Sequence, residues 1–310
     1  MKALIIAEDF AGMRAQGAGL AEKAGFNWDF RAVRIHSPWN HMPARFWPSP
    51  LRCIDHIDCP DDTDVLISIG GTGGIIGAAL SRKHNIPVVQ IQNPRTSLSR
   101  FDIVVANTHD GISGSNVLVS RNALHPVTPE KLALARNEWN SRLKLDQRPL
   151  LSVLTGGANG RFSFDPADAE RIATLLLEFM QRHDHQVVLT PSRRTGVEAL
   201  DVLHRKLIPA GVRILTGAGA ENPYMGMLAC ADMIAVTTDS VSMISEAAAT
   251  TAPVLILPLP GRSARIGRFI DTLEKAGRIR PFSSDVEPWS VRPLDDTPSA
   301  AREMRQRLKL

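Results

Sequence analysis

A short polar stretch, Thr-Thr-Asp-Ser at residues 237–240, lies between an apolar run and a helical pattern in the second half of the chain. If Asp239 or Ser240 caps the helix, the first helical turn offers free backbone N–H groups and the positive end of the helix dipole. A phosphate group binds well at such a terminus. The stretch, Thr238 included, is interpreted either as part of an anion site or as an ordinary capped helix.

The helix that follows carries a polar stripe. Asp239, Ser242 and Glu246 are spaced i, i+3 and i+7, so they share one helical face. A nucleotide needs this arrangement, because its diphosphate fits the helix terminus and its ribose hydroxyls need a carboxylate further along. The alternative interpretation is the solvated edge of a plain helix.

Three more loops of the second half follow apolar runs and contain groups that suit a nucleotide. In the loop at residues 154–162, Gly156 and Gly157 allow close approach of the backbone to a ligand, and Arg161 adds a charge. The loop at residues 190–196 concentrates donors suited to phosphate, namely Ser192, Arg193, Arg194 and Thr195. The glycine-rich loop at residues 216–226 is suited to holding a base by backbone contacts. For the first of these loops, a flexible turn is the alternative.

Candidate bases are found in the first half of the chain. His109 and Asp110 follow an apolar run, and a His beside a carboxylate serves as a base near neutral pH. The alternative is a turn in which Asp110 and Gly111 bend the chain. Asp9, which follows the first apolar run, is a competing candidate.

The glycine-rich stretch SIGGTGGIIGAAL at residues 68–80 has a spacing similar to that of a dinucleotide-binding loop. It follows the third predicted strand rather than the first, and the next strand ends in QIQN, without an acidic residue for a ribose. The sole tyrosine, Tyr224, belongs to no Tyr-x-x-x-Lys pattern. We therefore expect no nicotinamide cofactor, and instead an acceptor or phosphate contact at this helix terminus.

Short apolar runs alternate with helical patterns throughout, which predicts parallel strands covered on both faces in a doubly wound α/β fold. The predicted strands cover residues 3–7, 31–35, 65–69, 87–91, 103–106, 150–154, 186–190, 212–215, 233–236 and 254–257. A charged stretch near residues 140–149 is typical of a linker. We therefore predict an N-terminal domain at 1–145, a C-terminal domain at 146–297, a terminal helix at 298–310, and a cleft between the two domains.

The composition excludes several classes of protein. A net charge of +4 without a dense basic stripe argues against nucleic-acid binding, and no apolar run is long enough to span a membrane. Cys53, His56 and Cys59 match no common zinc spacing, so no metal site is expected. The segment at residues 36–53 combines Trp, Phe, Arg and Pro, which favours either peripheral contact with a membrane or a long packed loop. A cytoplasmic protein is expected, and the membrane interpretation of this segment would place it at the inner face of a membrane.

Several quoted stretches together resemble one family. ENPYMGMLACADMIAVTTDSVSMISEAAATTAPV, QNPRTSLSRFDIVVANTHDG and GRIRPF are similar to the mitochondrial-fission family of the elongated-mitochondria type and its bacterial relatives, from about residue 64 to 296. That family resembles GT-B glycosyltransferases, which have two Rossmann-like halves facing a nucleotide-sugar cleft. GGANGR and TTAP depart from the family pattern, which leaves the donor open.

The resemblance implies a donor pocket in the second half. It places Asp239, Ser240, Ser242 and Glu246 along the nucleotide, and it places the remaining residues near the diphosphate or beside the base: Gly156, Gly157, Arg161, Arg194, Thr195, Asn222, Pro223 and Met225. The implied activity is transfer of a sugar from a nucleoside diphosphate donor to an acceptor that is envelope- or lipid-linked, without a metal. A catalytically silent scaffold that recruits proteins at a membrane and a nucleotide-sugar epimerase are the alternatives.

Overall fold

The computed structural model describes residues 1–217 and 219–310, and the described residues form two compact units. The first unit comprises Met1–Pro126 and Asp295–Leu310, and the second comprises Val127–Leu294. Each unit is built around one parallel six-stranded sheet. The prediction of two doubly wound α/β domains is therefore confirmed.

The strands of the first unit are β1 (Lys2–Ala7), β2 (Asn27–Ala32), β3 (Val65–Ile69), β4 (Val88–Ile91), β5 (Ile103–Asn107) and β6 (Val117–Ser120). Those of the second unit are β7 (Leu150–Thr155), β8 (Gln186–Pro191), β9 (Arg213–Ile214), β10 (Met233–Thr237), β11 (Val254–Leu257) and β12 (Ile279–Pro281). The sheet orders are β2-β1-β3-β4-β5-β6 and β12-β11-β10-β7-β8-β9.

The helices are α1 (Ala11–Lys23), α2 (Gly70–His84), α3 (Pro129–Leu143), α4 (Pro166–Arg182), α5 (Val197–Leu207), α6 (Tyr224–Cys230), α7 (Val241–Ala248), α8 (Ala264–Lys275) and α9 (Thr297–Leu308). Helices follow most strands directly, so the chain returns to the same end of each sheet and the strands run parallel. Among the described helices, none is long and apolar enough to cross a lipid bilayer.

Central strands agree with the apolar runs, as does the edge strand β9, whereas the other three edge strands are displaced or were not predicted. The run at residues 65–69 is the fully buried strand β3. The second strand lies at Asn27–Ala32, about four residues before its predicted position, and its residues are only half buried. The edge strands β6 and β12 were not predicted, because short strands with exposed positions lack a continuous apolar run.

The division between the units differs from the predicted boundary at residues 145 and 146. Helix α3 belongs to the second unit, where Trp139 is buried against Gly226 of α6, whose added Cβ would lie 2.3 Å from the Trp139 ring. Helix α9 completes the first unit instead of standing alone. Its Met304 is fully buried in the first core, and its Arg305 donates to the Ala24 carbonyl at the end of α1.

Candidate functional site

Strands β10, β7 and β8 are neighbours in the second sheet, so the loops that follow them meet at one edge. These loops carry Gly156 and Gly157 after β7, Ser192 after β8, and Asp239 after β10. Hydrogen bonds join all three loops. The structure therefore brings together the residues that the sequence placed in separate anion-binding loops.

Asp239 is the charged centre of this edge. Its carboxylate accepts hydrogen bonds from the Thr237 hydroxyl at 2.7 Å and the Gly157 N–H at 3.1 Å, and it pairs with the Arg194 guanidinium at 2.8 Å. The Asp239 side chain is fully buried, whereas that of Arg194 is 40% exposed. The Gly157 amide that we expected to face a diphosphate is thus engaged by the protein's own carboxylate.

The two glycines of this edge are required by close packing. A Cβ on Gly156 would lie 2.3 Å from the Asp239 carboxylate oxygens, and a Cβ on Gly157 would lie 1.9 Å from the Arg194 carbonyl oxygen. Both distances are far below van der Waals contact. A side chain at either position would therefore separate the β7 loop from the elements that carry Arg194 and Asp239.

Ser192 and Thr195 point toward the protein rather than outward. Each hydroxyl donates to the Gly156 carbonyl at 2.7 Å, and the Ser192 N–H donates to the Thr195 hydroxyl. Arg194 also donates to the Gly157 carbonyl at 2.9 Å. These bonds fix the β8 loop so that Arg194 lies beside Asp239.

Helix α7 begins at this same edge. Ser240 is the N-cap, and its hydroxyl accepts from the Met243 N–H at 3.4 Å. The N–H groups of Val241 and Ser242 belong to the first helical turn, where no intrahelical acceptor exists. Ser242, in this first turn, is half buried. Thr238, before the helix, is held by a hydrogen bond from its hydroxyl to the Leu257 carbonyl. The first turn of α7 is thus capped by Ser240 and lies beside the Asp239–Arg194 pair.

Glu246 lies two turns into α7 and is 7% exposed. The Tyr224 hydroxyl at the start of α6 donates to its carboxylate. Burial raises the pKa of Glu246 to about 7, although the bond from Tyr224 acts in the opposite direction. Burial and the neighbouring Glu246 charge raise the pKa of Tyr224 well above its ordinary value. Sequence reasoning located Glu246 but missed Tyr224, because only tertiary packing brings α6 to α7.

The other predicted contacts surround this edge. The Asn222 side chain accepts from the Tyr224 N–H at 3.0 Å, and Met225 is half buried at the start of α6. Arg161 is exposed, and its guanidinium lies 3.4 Å from the Ser263 hydroxyl. Ala218, in the loop that we interpreted as a base contact, lies outside the described residues. Asn222 therefore shapes the entry to α6 by a side-chain bond to the backbone.

Arg278 is a residue that the sequence analysis quoted without assigning a role. It is 2% exposed, and its guanidinium donates to four carbonyls at the end of α7 and in the turn that follows: Ala247, Ala248, Thr250 and Ala252, at 2.8 to 2.9 Å. Burial lowers its pKa to about 10. A cation at the C-terminal end of a helix is favourable, so Arg278 holds α7 from the end opposite Asp239.

The candidate bases of the first unit have different partners. His109 is 1% exposed within a short 3₁₀ turn, and the Asp110 carboxylate accepts from the Asn107 N–H at 3.1 Å in a capping box. Asp9 is exposed and pairs with Arg14 at 3.2 Å. Asp110 therefore stabilises a turn, and the assignment of any of the three as a base stays a prediction.

No cluster of three or more His, Cys, Asp or Glu side chains in the described part of the chain is placed to hold a metal ion. Cys53, Cys59 and Cys230 are free thiols. The charged groups of the candidate site are instead Asp239, Arg194 and Glu246.

Comparison with known proteins connects this chain to a family. The model of the mitochondrial fission ELM1 family matches residues 11–308. The mitochondrial fission protein ELM1 of Arabidopsis thaliana is 29% identical over 272 residues, which cover 79% of this chain and 64% of the plant protein. The uncharacterized protein RP120 of Rickettsia prowazekii (strain Madrid E) is 25% identical over 286 residues, which cover 80% of each chain.

Solved structures with the same fold include a UDP-GlcNAc epimerase and a glycosyltransferase. The UDP-GlcNAc 2-epimerase of Methanocaldococcus jannaschii, in complex with UDP-GlcNAc and UDP, has a TM-score of 0.55 at 15% identity and covers 99% of both chains. The glycosyltransferase SnogD of Streptomyces nogalater has a TM-score of 0.55 at 16% identity, over 100% of this chain and 95% of its own. At these identities the likeness shows a shared GT-B fold.

Proposed function

Because this chain belongs to the mitochondrial fission ELM1 family and has a GT-B fold, we propose that its second unit binds the nucleoside diphosphate part of a nucleotide sugar. The observation that carries the proposal is the arrangement along α7. An N-terminal turn lies beside Arg194, and the carboxylate of Glu246 lies on the same helix, about 9 Å further along its axis. This spacing suits a diphosphate and a ribose.

The groups offered to the diphosphate differ from those expected from the sequence alone. Since Asp239 engages the Gly157 N–H, the donors proposed for phosphate are the first-turn amides of α7, the Ser242 hydroxyl and the exposed part of Arg194. Gly156 and Gly157 act by letting the loops approach one another. The Asp239–Arg194 pair carries no net charge, so the helix terminus supplies the positive potential.

The proposed reaction is transfer of the sugar to an envelope- or lipid-linked acceptor. The first turn of α7 and Arg194 stabilise the departing diphosphate by preorganised charge, without a step that requires a metal. The first unit supplies the base, for which Asp9, His109 and Asp110 are the candidates. Asn222 and Met225, at the entry to α6, are proposed to flank the nucleotide base, and Arg161 and Thr195 to border the diphosphate.

Two observations support alternative functions. The M. jannaschii structure belongs to an enzyme that epimerises UDP-GlcNAc, which favours an epimerase as the second candidate. The structural bond of Asp110 favours the catalytically silent scaffold that recruits protein partners at a membrane. Incubation with the donor alone separates these functions, since an epimerase converts the sugar without an acceptor and a scaffold leaves it unchanged.

Peripheral contact with a membrane is proposed for part of the segment at residues 36–53. Met42 and Phe46 are 45% and 60% exposed, and the Arg45 guanidinium lies 4.7 Å from the centre of the Phe46 ring. Trp47 is buried and packs into the first unit. Exposed apolar side chains beside cations suit an anionic lipid surface. If Phe46→Ser binds anionic vesicles as strongly as the wild type does, this contact is excluded.

Calorimetric titration with UDP, GDP and CMP tests the proposed donor site. We expect at least one of them to bind, and we expect Arg194→Ala to weaken that binding about tenfold, because it removes a charge-assisted phosphate contact. Arg193→Ala is the matched control, since Arg193 is the exposed neighbour in the same loop. Equal losses of nucleotide affinity in the two variants would show that affinity depends on the positive charge of the loop and not on a specific contact of Arg194. Absence of nucleotide binding to the wild type would refute the proposal.

A further inference from the structure

The hydroxyl of Tyr224 and the carboxylate of Glu246 form a hydrogen bond that links two helices of the second unit. Tyr224 is the first residue of α6, and Glu246 lies in the last turn of α7. Glu246 is buried and Tyr224 is half-buried, and a buried carboxylate costs free energy unless its oxygens are satisfied. The burial of Glu246 with Tyr224 as its hydrogen-bond partner therefore needs a functional explanation.

The bond engages one carboxylate oxygen, Oε2 of Glu246. Among the described residues, the other oxygen, Oε1, makes no hydrogen bond. An ionised carboxylate accepts several hydrogen bonds, so one oxygen has unused capacity. A donor from a bound molecule would satisfy it.

The surroundings of Glu246 contain few other charges. Strands β10 and β11, which pack against α7, consist of apolar residues and one Thr. Asp239 before the helix is paired with Arg194, and Arg278 at its end is bonded to backbone carbonyls. Among the described residues, Tyr224 is thus the titratable side chain whose hydrogen bond affects the pKa of Glu246.

We propose that Tyr224 is a positioning residue, which holds one oxygen of Glu246 so that the other accepts a ribose hydroxyl of the bound nucleotide. This inference rests on the proposed function, because it assigns a partner within the same site. The tyrosine hydroxyl is used as a donor only, and it contacts the carboxylate rather than the nucleotide. Its effect is to fix the orientation and charge state of Glu246.

The arrangement makes nucleotide binding depend on pH. A ribose hydroxyl donates to an ionised carboxylate, and the pKa of Glu246 is about 7. Affinity should therefore rise with pH up to about 7, by at most about tenfold per pH unit, and level off above it. Removing the Tyr224 hydroxyl removes the bond that lowers this pKa, so the rise should move to higher pH.

The experiment is a calorimetric titration of the full chain with UDP at several pH values on both sides of about 7. Tyr224→Phe should weaken UDP binding at neutral pH by about fivefold, and the difference from wild type should shrink as the pH rises. Glu246→Gln should bind weakly with little dependence on pH. Binding of 2′,3′-dideoxy-UDP, which lacks the ribose hydroxyls, should be equal in wild type and Tyr224→Phe.

The outcomes separate the inference from the proposed function. If UDP binds the wild type, and Tyr224→Phe shows the same affinity and the same pH profile, the role of Tyr224 is overturned while the donor site stands. A loss in Tyr224→Phe that is equal for UDP and the dideoxy nucleotide would also overturn it, since it would reflect altered folding of α6. If UDP, GDP and CMP all fail to bind the wild type, the proposed function fails, and the inference fails with it.

Discussion

The glycine-rich turns after β3 and after β7 look alike in sequence but have different neighbours. In the first unit, a Cβ on Gly73 would lie 2.8 Å from the Ile6 carbonyl oxygen, and one on Gly77 would lie 2.4 Å from the Ser68 Cβ. In the second unit, Gly156 faces the carboxyl group of Asp239 and Gly157 faces the backbone of Arg194. Gly73 and Gly77 are packed against uncharged groups, whereas Gly156 is packed against a carboxyl group and Gly157 against a backbone carbonyl.

The comparison shows what glycine spacing can and cannot indicate. Around the first turn, Gln90 donates to the carbonyls of Gly70 and Ile91 and accepts from the Ser68 hydroxyl at 2.7 Å, which completes a buried network of uncharged groups. Glycines in both units allow helices and loops to approach the strands closely. A close approach alone therefore does not identify a ligand site, whereas charged groups at the same edge provide a separate argument.

The largest effect is expected from Gly157→Ala. The new Cβ would lie 1.9 Å from the Arg194 carbonyl oxygen and 2.6 Å from the Thr195 backbone nitrogen, and neither backbone atom moves easily. We expect a loss of about 4 kcal/mol in the free energy of unfolding, measured with urea. Gly160→Ala, which has open space around its Cβ, is the matched control and should change stability little. A stable Gly157→Ala would mean that the two loops are not in close contact.

The next largest loss of stability is expected from replacing Arg278, the buried arginine that is bonded to the C-terminal end of α7. Arg278→Met keeps an apolar chain of similar length but leaves four buried carbonyls without their donors, so we expect a loss of about 3 kcal/mol. Arg280→Met, two residues later and within β12, removes an exposed arginine that stacks on Trp289 and should cost less than about 1 kcal/mol. Comparable losses in the two variants would contradict the anchoring role.

A pH-dependent effect is expected at Glu246. Because its pKa is raised in the folded protein, the folded state is favoured with the proton bound, and this contribution is lost as the pH rises from about 4.5 to about 7. Glu246→Gln removes that dependence. Its stability relative to wild type should increase by about 2 kcal/mol between about pH 5.5 and 8. Urea unfolding at the two pH values measures the change, and a pH-independent difference would show that Glu246 does not titrate there.

The smallest effect is expected from Asp110→Ala in the first unit. Asp110→Ala removes the acceptor for the Asn107 N–H and should cost about 1 kcal/mol of stability, as loss of a capping group does. Asp9→Ala removes an exposed ion pair and should cost less. If Asp110 has only this structural role, nucleotide affinity should stay at the wild-type value. Loss of transfer activity beyond the stability change would instead identify Asp110 as the base.

The sequence predicted the central part of the fold because buried parallel strands are continuous apolar runs. It did not predict β6 and β12, since edge strands are short and half exposed, and their pairing depends on a neighbour that is distant in the chain. It predicted two domains but placed their boundary at residues 145 and 146 instead of after Pro126. Whether α3 and α9 pack on one core or the other is decided by tertiary contacts such as those of Trp139 and Met304.

Within the candidate site, residue types were easier to predict than their orientations. The helix start and the stripe containing Glu246 followed from spacing. The inward hydroxyls of Ser192 and Thr195, and the burial of Asp239, depend on the meeting of three loops that are distant in sequence. Tyr224 and Arg278 acquire their roles from partners more than twenty residues away, at separations of 22 and 26 to 31 residues.

The return of α9 to the first unit has a consequence for biosynthesis. The second unit is one uninterrupted segment, Val127–Leu294, whereas the first awaits Asp295–Leu310. On the ribosome, the later-made unit therefore has all its parts before the earlier-made one does, which reverses the usual N-to-C order of domain folding. Until Met304 arrives, the apolar surface that it covers is exposed on the nascent chain, where chaperones have time to bind.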